Sequence, residues 1–159
     1  MANNLGVVSS TLAATGTTFS ESLGLLTAIT EKTRNASTAA HSLQQISARL
    51  TQTLDNSSST GKKLTEIYNK LGISLKDQNG QIKSTYDILS ELAPKWNELS
   101  KNQQEYIALT SSGSRQQNNF IALMSNFNTA INANTTALNS SGSAWEENEK
   151  RQFNYYRRC

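Results

Sequence analysis

The chain has 159 residues and a formal net charge of +3, and 36% of its residues are hydrophobic. Ser, Thr, Asn and Gln make up 65 of the 159 residues, which is typical of a small core, but the charge is too low and too balanced for intrinsic disorder. A single Cys and a single His exclude a disulfide framework and a Cys/His zinc site, and no apolar run approaches the roughly 20 residues of a membrane-spanning helix.

The first half of the chain shows the apolar spacing of amphipathic helices. Thr18 and Glu21 form a capping-box pattern at the start of one helix, and Asn35 or Ser37 caps the next. An apolar stripe runs along one face of this second helix and consists of Ala36, Ala39, Leu43, Ile46, Leu50 and Leu54. The stripe is narrow and flanked by Ser, Thr and Gln. It therefore predicts a seam against one or two neighbours, as in a coiled coil, rather than a helix buried all round.

The middle of the chain contains one segment whose pattern is not helical. Apolar and polar residues alternate over 73–76 and again over 81–83, and the turn residues Asp77–Gly80 lie between them. This order predicts a small β-hairpin near 73–83. Because a two-stranded ribbon is only marginally stable alone, we expect it to lie against the helices.

Helical spacing resumes after this segment. Ser84 and Ser100 predict two helix starts, and Pro94 predicts a kink or restart near Leu92 and Ala93, since proline lacks an N–H and crowds the preceding turn. The sequence thus predicts an all-α array of short amphipathic helices with one β-hairpin, forming a single module over 1–148. The predicted helices span about residues 18–33, 35–54, 62–71, 84–99, 101–111 and 114–139, and a further helix follows around Trp145.

The last ten residues carry the chain's positive charge. They contain four bases and no acid, whereas the remaining 149 residues sum to −1. The bases are Lys150, Arg151, Arg157 and Arg158. They alternate with aromatic residues, which is typical of a single-strand nucleic-acid-binding segment, but a helix with an aromatic packing face explains the pattern equally well. We leave residues 149–159 as a basic aromatic tail without an assigned role.

Few residues are placed to carry catalysis. His41 has no carboxylate three or four residues away that could orient its ring. We therefore expect it to be a partly exposed helix histidine and not a member of a catalytic triad. Asp87 and Glu91 lie one turn apart, which suits an acid/base pair but is commoner on a solvated helix face. Cys159 is the last residue and has no activating neighbour. We expect no enzyme activity and no catalytic residues.

Two short segments resemble ligand loops only in part. The sequence from Asp77 to Gln81 is similar to the start of a calcium loop, but the twelfth position, where an EF-hand requires glutamate, is Ile88. Gly61 and the lysines after it lack the upstream glycine of a phosphate-binding loop. We therefore expect no metal, no cofactor and no small-molecule substrate.

From residue 61 to residue 127, small, apolar and amide residues follow a specific order. They are Leu71-Gly72-Ile73, Asp77, Gly80, Asp87-Ile88-Leu89, Leu92, Trp96, Leu99, Gln103, Gln104, Ile107, Ala108, Gly113, Arg115, Gln116 and Phe120. This order strongly resembles the conserved region of the tail tape measure proteins of long-tailed phages and prophages. Residues 5–43 also resemble that family's opening helices, so the resemblance covers roughly residues 3–148.

The resemblance implies a structural protein without catalytic residues. It implies roles in tail assembly, in tail-length determination inside the tail tube and in genome ejection. The implied partners are other copies of the chain, the tail tube, tail chaperones, and tail-tip or baseplate proteins. DNA contact stays an open alternative that the resemblance itself does not support. The implied location is the interior of the virion tail, after assembly in the bacterial cytoplasm. Because whole tape measure proteins are much longer, we expect this chain to be a fragment, a truncated gene product or one part of a split gene.

Helix geometry limits how such a chain measures length. One straight helix of this length would reach only ~240 Å, and the glycine-containing breaks divide the chain into short helices. We therefore expect a compact module that engages neighbouring copies or other tail proteins, not the measuring rod itself. The alternative is a helical protein–protein interaction module of a secreted or surface protein. A self-contained bundle over 84–127 with a ligand pocket would favour that alternative.

Overall fold

The computed structural model describes residues 2–140, with side chains from residue 5 onward. Within this part the chain forms helices and no strands, so the all-α prediction is confirmed there. The helices are α1 (Ala2–Ala13), α2 (Phe19–Thr33), α3 (Ala36–Thr51), α4 (Ser59–Lys70), α5 (Thr85–Trp96), α6 (Lys101–Ser112), α7 (Gln117–Ser125) and α8 (127–140). A 3-10 turn, Gln52–Leu54, follows α3. Helix α1 is not among the predicted helices, and the predicted helix around Trp145 and the tail at 149–159 lie outside the described residues.

Helices α2, α3 and α6 begin at caps that the sequence predicts. Thr18 and Glu21 form the reciprocal capping box of α2, with N–H···O distances of 2.9 and 3.2 Å. The side chain of Asn35 accepts the N–H of Thr38 at 3.0 Å and so begins α3. Ser100 begins α6 in the same way. Local side-chain chemistry therefore sets the entry of each of these helices.

Two predicted helices end or break at different places. Helix α5 passes through Pro94 without interruption and ends at Trp96, so the predicted restart near Leu92 is wrong. The predicted helix over 114–139 forms two helices that are separated at Asn126. The side chain of Asn126 donates to Ala28 O at 3.0 Å, and this tertiary bond holds the junction between α7 and α8 against α2.

The predicted β-hairpin near 73–83 is wrong. The segment contains no strand, only a single antiparallel bridge between Lys76 and Ile82. The predicted turn is nevertheless present, because the N–H of Gly80 donates to Asp77 O at 3.1 Å. Gly80 takes a φ of +78°, which glycine adopts without steric cost.

The neighbouring helix ends explain why the pairing does not extend further. The N–H of Ile73 donates to Tyr68 O at 2.8 Å and closes the last turn of α4. On the other side, the Ser84 hydroxyl accepts the N–H of Asp87 at 3.1 Å and begins α5. Between these caps the two sides pair only around Lys76 and Ile82, where the N–H of Lys83 donates to Leu75 O at 2.9 Å and the N–H of Asp77 donates to Gln81 O at 2.7 Å.

Helix α3 lies at the centre of the fold and contacts every helix from α1 to α7. Leu43, Ile46 and Leu50 are all 1% exposed or less. The predicted seam against one or two neighbours is therefore wrong, because helices of the same chain cover the middle of the stripe, although Leu54 at its end is 48% exposed. Its buried face is wider than the apolar pattern indicates, since Ser42 and Ser47 are buried as well. Ser42 satisfies its hydroxyl within the helix by donating to Thr38 O at 2.9 Å.

Candidate functional site

An apolar groove lies between α4 and α6. It has a volume of about 200 Å³. The residues that line it are Ile67, Lys70, Leu71, Leu99, Gln103, Tyr106 and Ile107. Tyr106 lies at the edge of this groove, and 52% of its surface is exposed. An exposed apolar concavity of this kind is typical of a surface that contacts another protein.

Buried polar contacts fix the helices on either side of the groove. Beneath it, Tyr68 Oη of α4 and Ser111 Oγ of α6 lie 2.9 Å apart, and both side chains are buried. Burial raises the pKa of Tyr68, and the hydrogen bond to Ser111 opposes that shift in part. Lys95 donates to Leu71 O, which joins α5 to the end of α4. The shape of the groove therefore depends on hydrogen bonds as well as on apolar packing.

We expect Tyr68→Phe to lower the free energy of unfolding at neutral pH by about 1 to 2 kcal/mol, because buried Ser111 loses its partner. Above about pH 10 the difference from the unsubstituted protein should shrink. The unfolded chain releases the Tyr68 proton there while the folded chain retains it, so rising pH adds a destabilisation in the protein that has Tyr68 and not in the variant. The change is at most about 1.4 kcal/mol per pH unit. Urea unfolding at pH 7, 10 and 11 measures both effects.

Tyr106→Phe is the matched control for this prediction. Tyr106 is exposed and its hydroxyl has no hydrogen bond within the described residues. The same chemical change at this position should leave both the stability and its pH dependence close to those of the unsubstituted protein. Equal losses for the two variants would contradict a buried Tyr68–Ser111 contact.

His41 lies in a second cleft, between α3 and the turn that joins α6 to α7. The cleft has a volume of about 320 Å³. It is lined by His41, Gln45, Arg49, Ser112, Gly113, Ser114, Arg115 and Gln116. No carboxylate is among these residues, so the cleft lacks the acid that a His-based triad requires. Its chemistry is that of hydrogen-bond donors and positive charge.

The sequence analysis missed this gathering of arginine, histidine and amide side chains. His41, Gln45 and Arg49 follow one another at intervals of four on α3, a spacing that places side chains on one helix face. That spacing could have revealed the α3 side of the cleft. Arg115 joins them only through the packing of α6 and α7, for which the sequence contains no local signal.

Asp87 and Glu91, which the sequence analysis favoured as residues of a solvated helix face over an acid/base pair, each make separate local contacts. Glu91 accepts both of its hydrogen bonds from Lys83, at 3.1 and 3.2 Å. Asp87 lies in the first turn of α5, where a negative charge is favourable. Each carboxylate therefore has a local structural role.

The calcium-like loop is a turn closed by its own aspartate. Asp77 Oδ1 accepts the N–H groups of Asn79 and Gln81 at 2.8 and 3.0 Å. The residue at the twelfth position, Ile88, is completely buried in the core. Among residues 2–140 there is no group of three or more His, Cys, Asp or Glu side chains that could hold a metal ion.

Gly61 serves packing rather than phosphate binding, because a Cβ at this position would overlap the carbonyl group of Gln52. An open cleft of about 730 Å³ beside it contains lysines and acids together. Lys70 pairs with Glu66 at 3.1 Å on the surface of α4. Asp55 in the same cleft has a lowered pKa because it accepts hydrogen bonds from the hydroxyl and N–H of Ser57. The positive charges of this open cleft are therefore interspersed with negative ones.

A family model described as phage-related minor tail protein matches residues 1–113, which include α1 to α6. The match ends before Arg115, Gln116 and Phe120 of the ordered pattern in the sequence. No solved structure matches the chain. Within the described part, no helix has the length and apolar character needed to cross a membrane.

Proposed function

The chain belongs to the family of phage-related minor tail proteins, and from that premise we propose that it acts as a helical module of a tail tape measure protein. Membership of the family assigns it a structural role in a phage tail. The observation that carries the finer proposal is the ordered pattern from Leu71 to Phe120, which resembles the conserved region of tape measure proteins. In this role it takes part in tail assembly, in length determination inside the tail tube and in genome ejection.

The packing of the helices supports a module that engages partners rather than a rod that measures. The longest of α1 to α7 has 16 residues and is therefore about 24 Å long. These helices fold back around α3 instead of extending end to end. We infer that the partners are other copies of the chain, the tail tube, tail chaperones and tail-tip proteins. The groove beside Tyr106 is the apolar surface that favours such contacts.

We also propose that the protein acts without catalysis and not as a secreted or surface module. The histidine cleft contains no carboxylate, as described above. A self-contained bundle over 84–127 would favour the alternative, but α5, α6 and α7 share their core with α2 and α3. Trp96 and Phe120, for example, belong to the same cluster as Leu43 of α3.

A nonsense codon at Gln44, in a phage that encodes this chain, tests the proposed function. We expect mature tails to be lost and tubes of irregular length to form, because nothing then sets the length at which tube growth stops. Electron microscopy of lysates measures the length distribution. Expression of the intact chain from a plasmid is the control and should restore tails of uniform length.

Two results would contradict the proposal. Tails of normal mean length that carry genomes and infect would show that the chain is dispensable for assembly. Tails of normal length that fail to infect would place the chain in a tip or adsorption function instead.

A further inference from the structure

We propose that the cleft between α3 and the α6–α7 turn binds a carboxylate of an acidic polypeptide segment. This cationic cleft, defined by the eight lining residues given above, gathers two arginines and a histidine without an acid. It is a binding site in its own right, and the proposal does not depend on a tape measure function.

Arg49 is held in place for such a role by the fold. Its Nε–H donates to Thr110 O at 3.0 Å, and its side chain is half-buried. The terminal part of the guanidinium lies beside Gly113, since a Cβ on that glycine would be 3.7 Å from Arg49 Nη1. The N–H groups of Arg49 that do not bond Thr110 remain for a ligand. A guanidinium fixed in this way is suited to a carboxylate, which it can bind through two parallel hydrogen bonds.

Neither arginine of the cleft pairs with an acid among residues 5–140. The ion pairs among the described residues are Lys70–Glu66 and Lys83–Glu91, and neither involves Arg49 or Arg115. Arg115 is exposed on the other side of the cleft, in the turn before α7. Two unpaired guanidinium groups on opposite sides of one concavity favour an anion between them.

The start of α7 adds to the positive character of the cleft. Gln116, the residue before the helix, does not cap it with its side chain. Its Oε1 atom instead lies 2.6 Å from Ser42 Oγ and accepts from Asn119 Nδ2 at 3.0 Å. The N-terminus of α7 thus adjoins the cleft without a side-chain acceptor, where its dipole favours a negative group.

The distribution of charge favours a polypeptide over a nucleic acid as the source of that group. A nucleic-acid-binding surface carries a basic stripe that follows many phosphates. Residues 2–140 contain 11 Lys and Arg against 9 Asp and Glu, and the larger cleft beside α4 mixes both signs. The two arginines of the cationic cleft share a concavity of about 320 Å³ that contains no acid, which suits an acidic side chain or two.

Fluorescence anisotropy with the 159-residue chain tests the proposal. The probes are fluorescein-labelled hexaglutamate, labelled hexaglutamine and a labelled 20-nucleotide single-stranded DNA. We expect hexaglutamate to bind, hexaglutamine not to bind, and Arg115→Gln to weaken hexaglutamate binding about tenfold or more, as expected for a lost charge-assisted hydrogen bond. Because Arg115 is exposed and makes no ion pair with another residue of 5–140, circular dichroism should show that this variant keeps its fold.

Two matched controls remove one positive charge elsewhere. Lys101→Gln changes an exposed cation at the start of α6, and Arg158→Gln changes one of the four bases of the 149–159 tail. Each should weaken binding less than about twofold, because only long-range attraction is lost. Arg49→Lys keeps the charge but loses the two-pronged donor, and we expect it to weaken binding as well.

Three results would overturn the proposal. Equal weakening by Arg115→Gln and by the controls would show non-specific attraction. DNA binding that is tighter than peptide binding and is lost in Arg115→Gln would assign the cleft to nucleic acid. Absence of hexaglutamate binding to the intact chain would leave the cleft without the proposed ligand. None of these results bears on the tail-length experiment, so the two proposals fail separately.

Discussion

Replacement of Trp96 by alanine is expected to lower the free energy of unfolding by about 3 to 5 kcal/mol. Trp96 is the last residue of α5 and only 1% of its surface is exposed. Its ring meets the ring of Phe120 edge to face, with centroids 5.9 Å apart. Its backbone carbonyl also accepts the side-chain N–H of Gln104 at 2.7 Å. One residue thus joins α5, α6 and α7, and alanine would leave a cavity among them.

Phe19→Ala is the matched control for Trp96. Phe19 is also an aromatic residue at a helix terminus, but 60% of its surface is exposed. We expect its loss to cost less than about 1 kcal/mol, since little apolar area returns to water. Urea unfolding at neutral pH, with equal slopes for all proteins, measures both values. Similar losses for the two variants would contradict the placement of Trp96 in the core.

Helix starts were predictable from the sequence because they depend on residues within one turn. The Thr18–Glu21 box and the Asn35 and Ser84 caps each satisfy N–H groups three residues away. No tertiary contact is needed to identify them. The same local rules predicted the turn that ends at Gly80.

The sequence-based predictions are wrong where the local structure depends on tertiary contacts or on competing local hydrogen bonds. The hairpin fails because α4 and α5 use the backbone groups at both of its ends. The width of the buried face of α3 was underestimated because Ser42 and Ser47 have polar side chains that are small enough to be buried between helices. Apolar periodicity alone counts such positions as exposed, and so it underestimates the buried face of a serine-rich helix.

The candidate surfaces were not predictable for a related reason. The cationic cleft joins residues 41–49 to residues 112–116, and the apolar groove joins residues 67–71 to residues 99–107. Each pair of segments is far apart in the sequence and meets only after α6 has packed against α3 and α4. The residue types that line each surface can be identified from the sequence. Local sequence patterns do not indicate that the two segments come together.

The contact between α2 and α8 leads to the second large effect. Gly24 is buried in the middle of α2, and a Cβ at this position would overlap Ala130 O and lie 3.3 Å from Asn134 N. These are backbone atoms of another helix, so they cannot yield by a change of rotamer. We expect Gly24→Ala to lower the free energy of unfolding by about 2 to 3 kcal/mol through overpacking, measured by urea unfolding.

Gly6→Ala separates this steric effect from helix propensity. Gly6 is also inside a helix, α1, but a Cβ there would meet nothing within 4 Å. Alanine should therefore raise the free energy of unfolding at Gly6 by about 0.5 to 1 kcal/mol, the usual gain when alanine replaces glycine in a helix. Gly24→Ala has the same gain in helix propensity. If the free energy of unfolding rises for Gly6→Ala and falls for Gly24→Ala, the fall therefore reports the steric cost of pushing α2 away from α8. A stability gain at both positions would mean that the two helices do not approach this closely in solution.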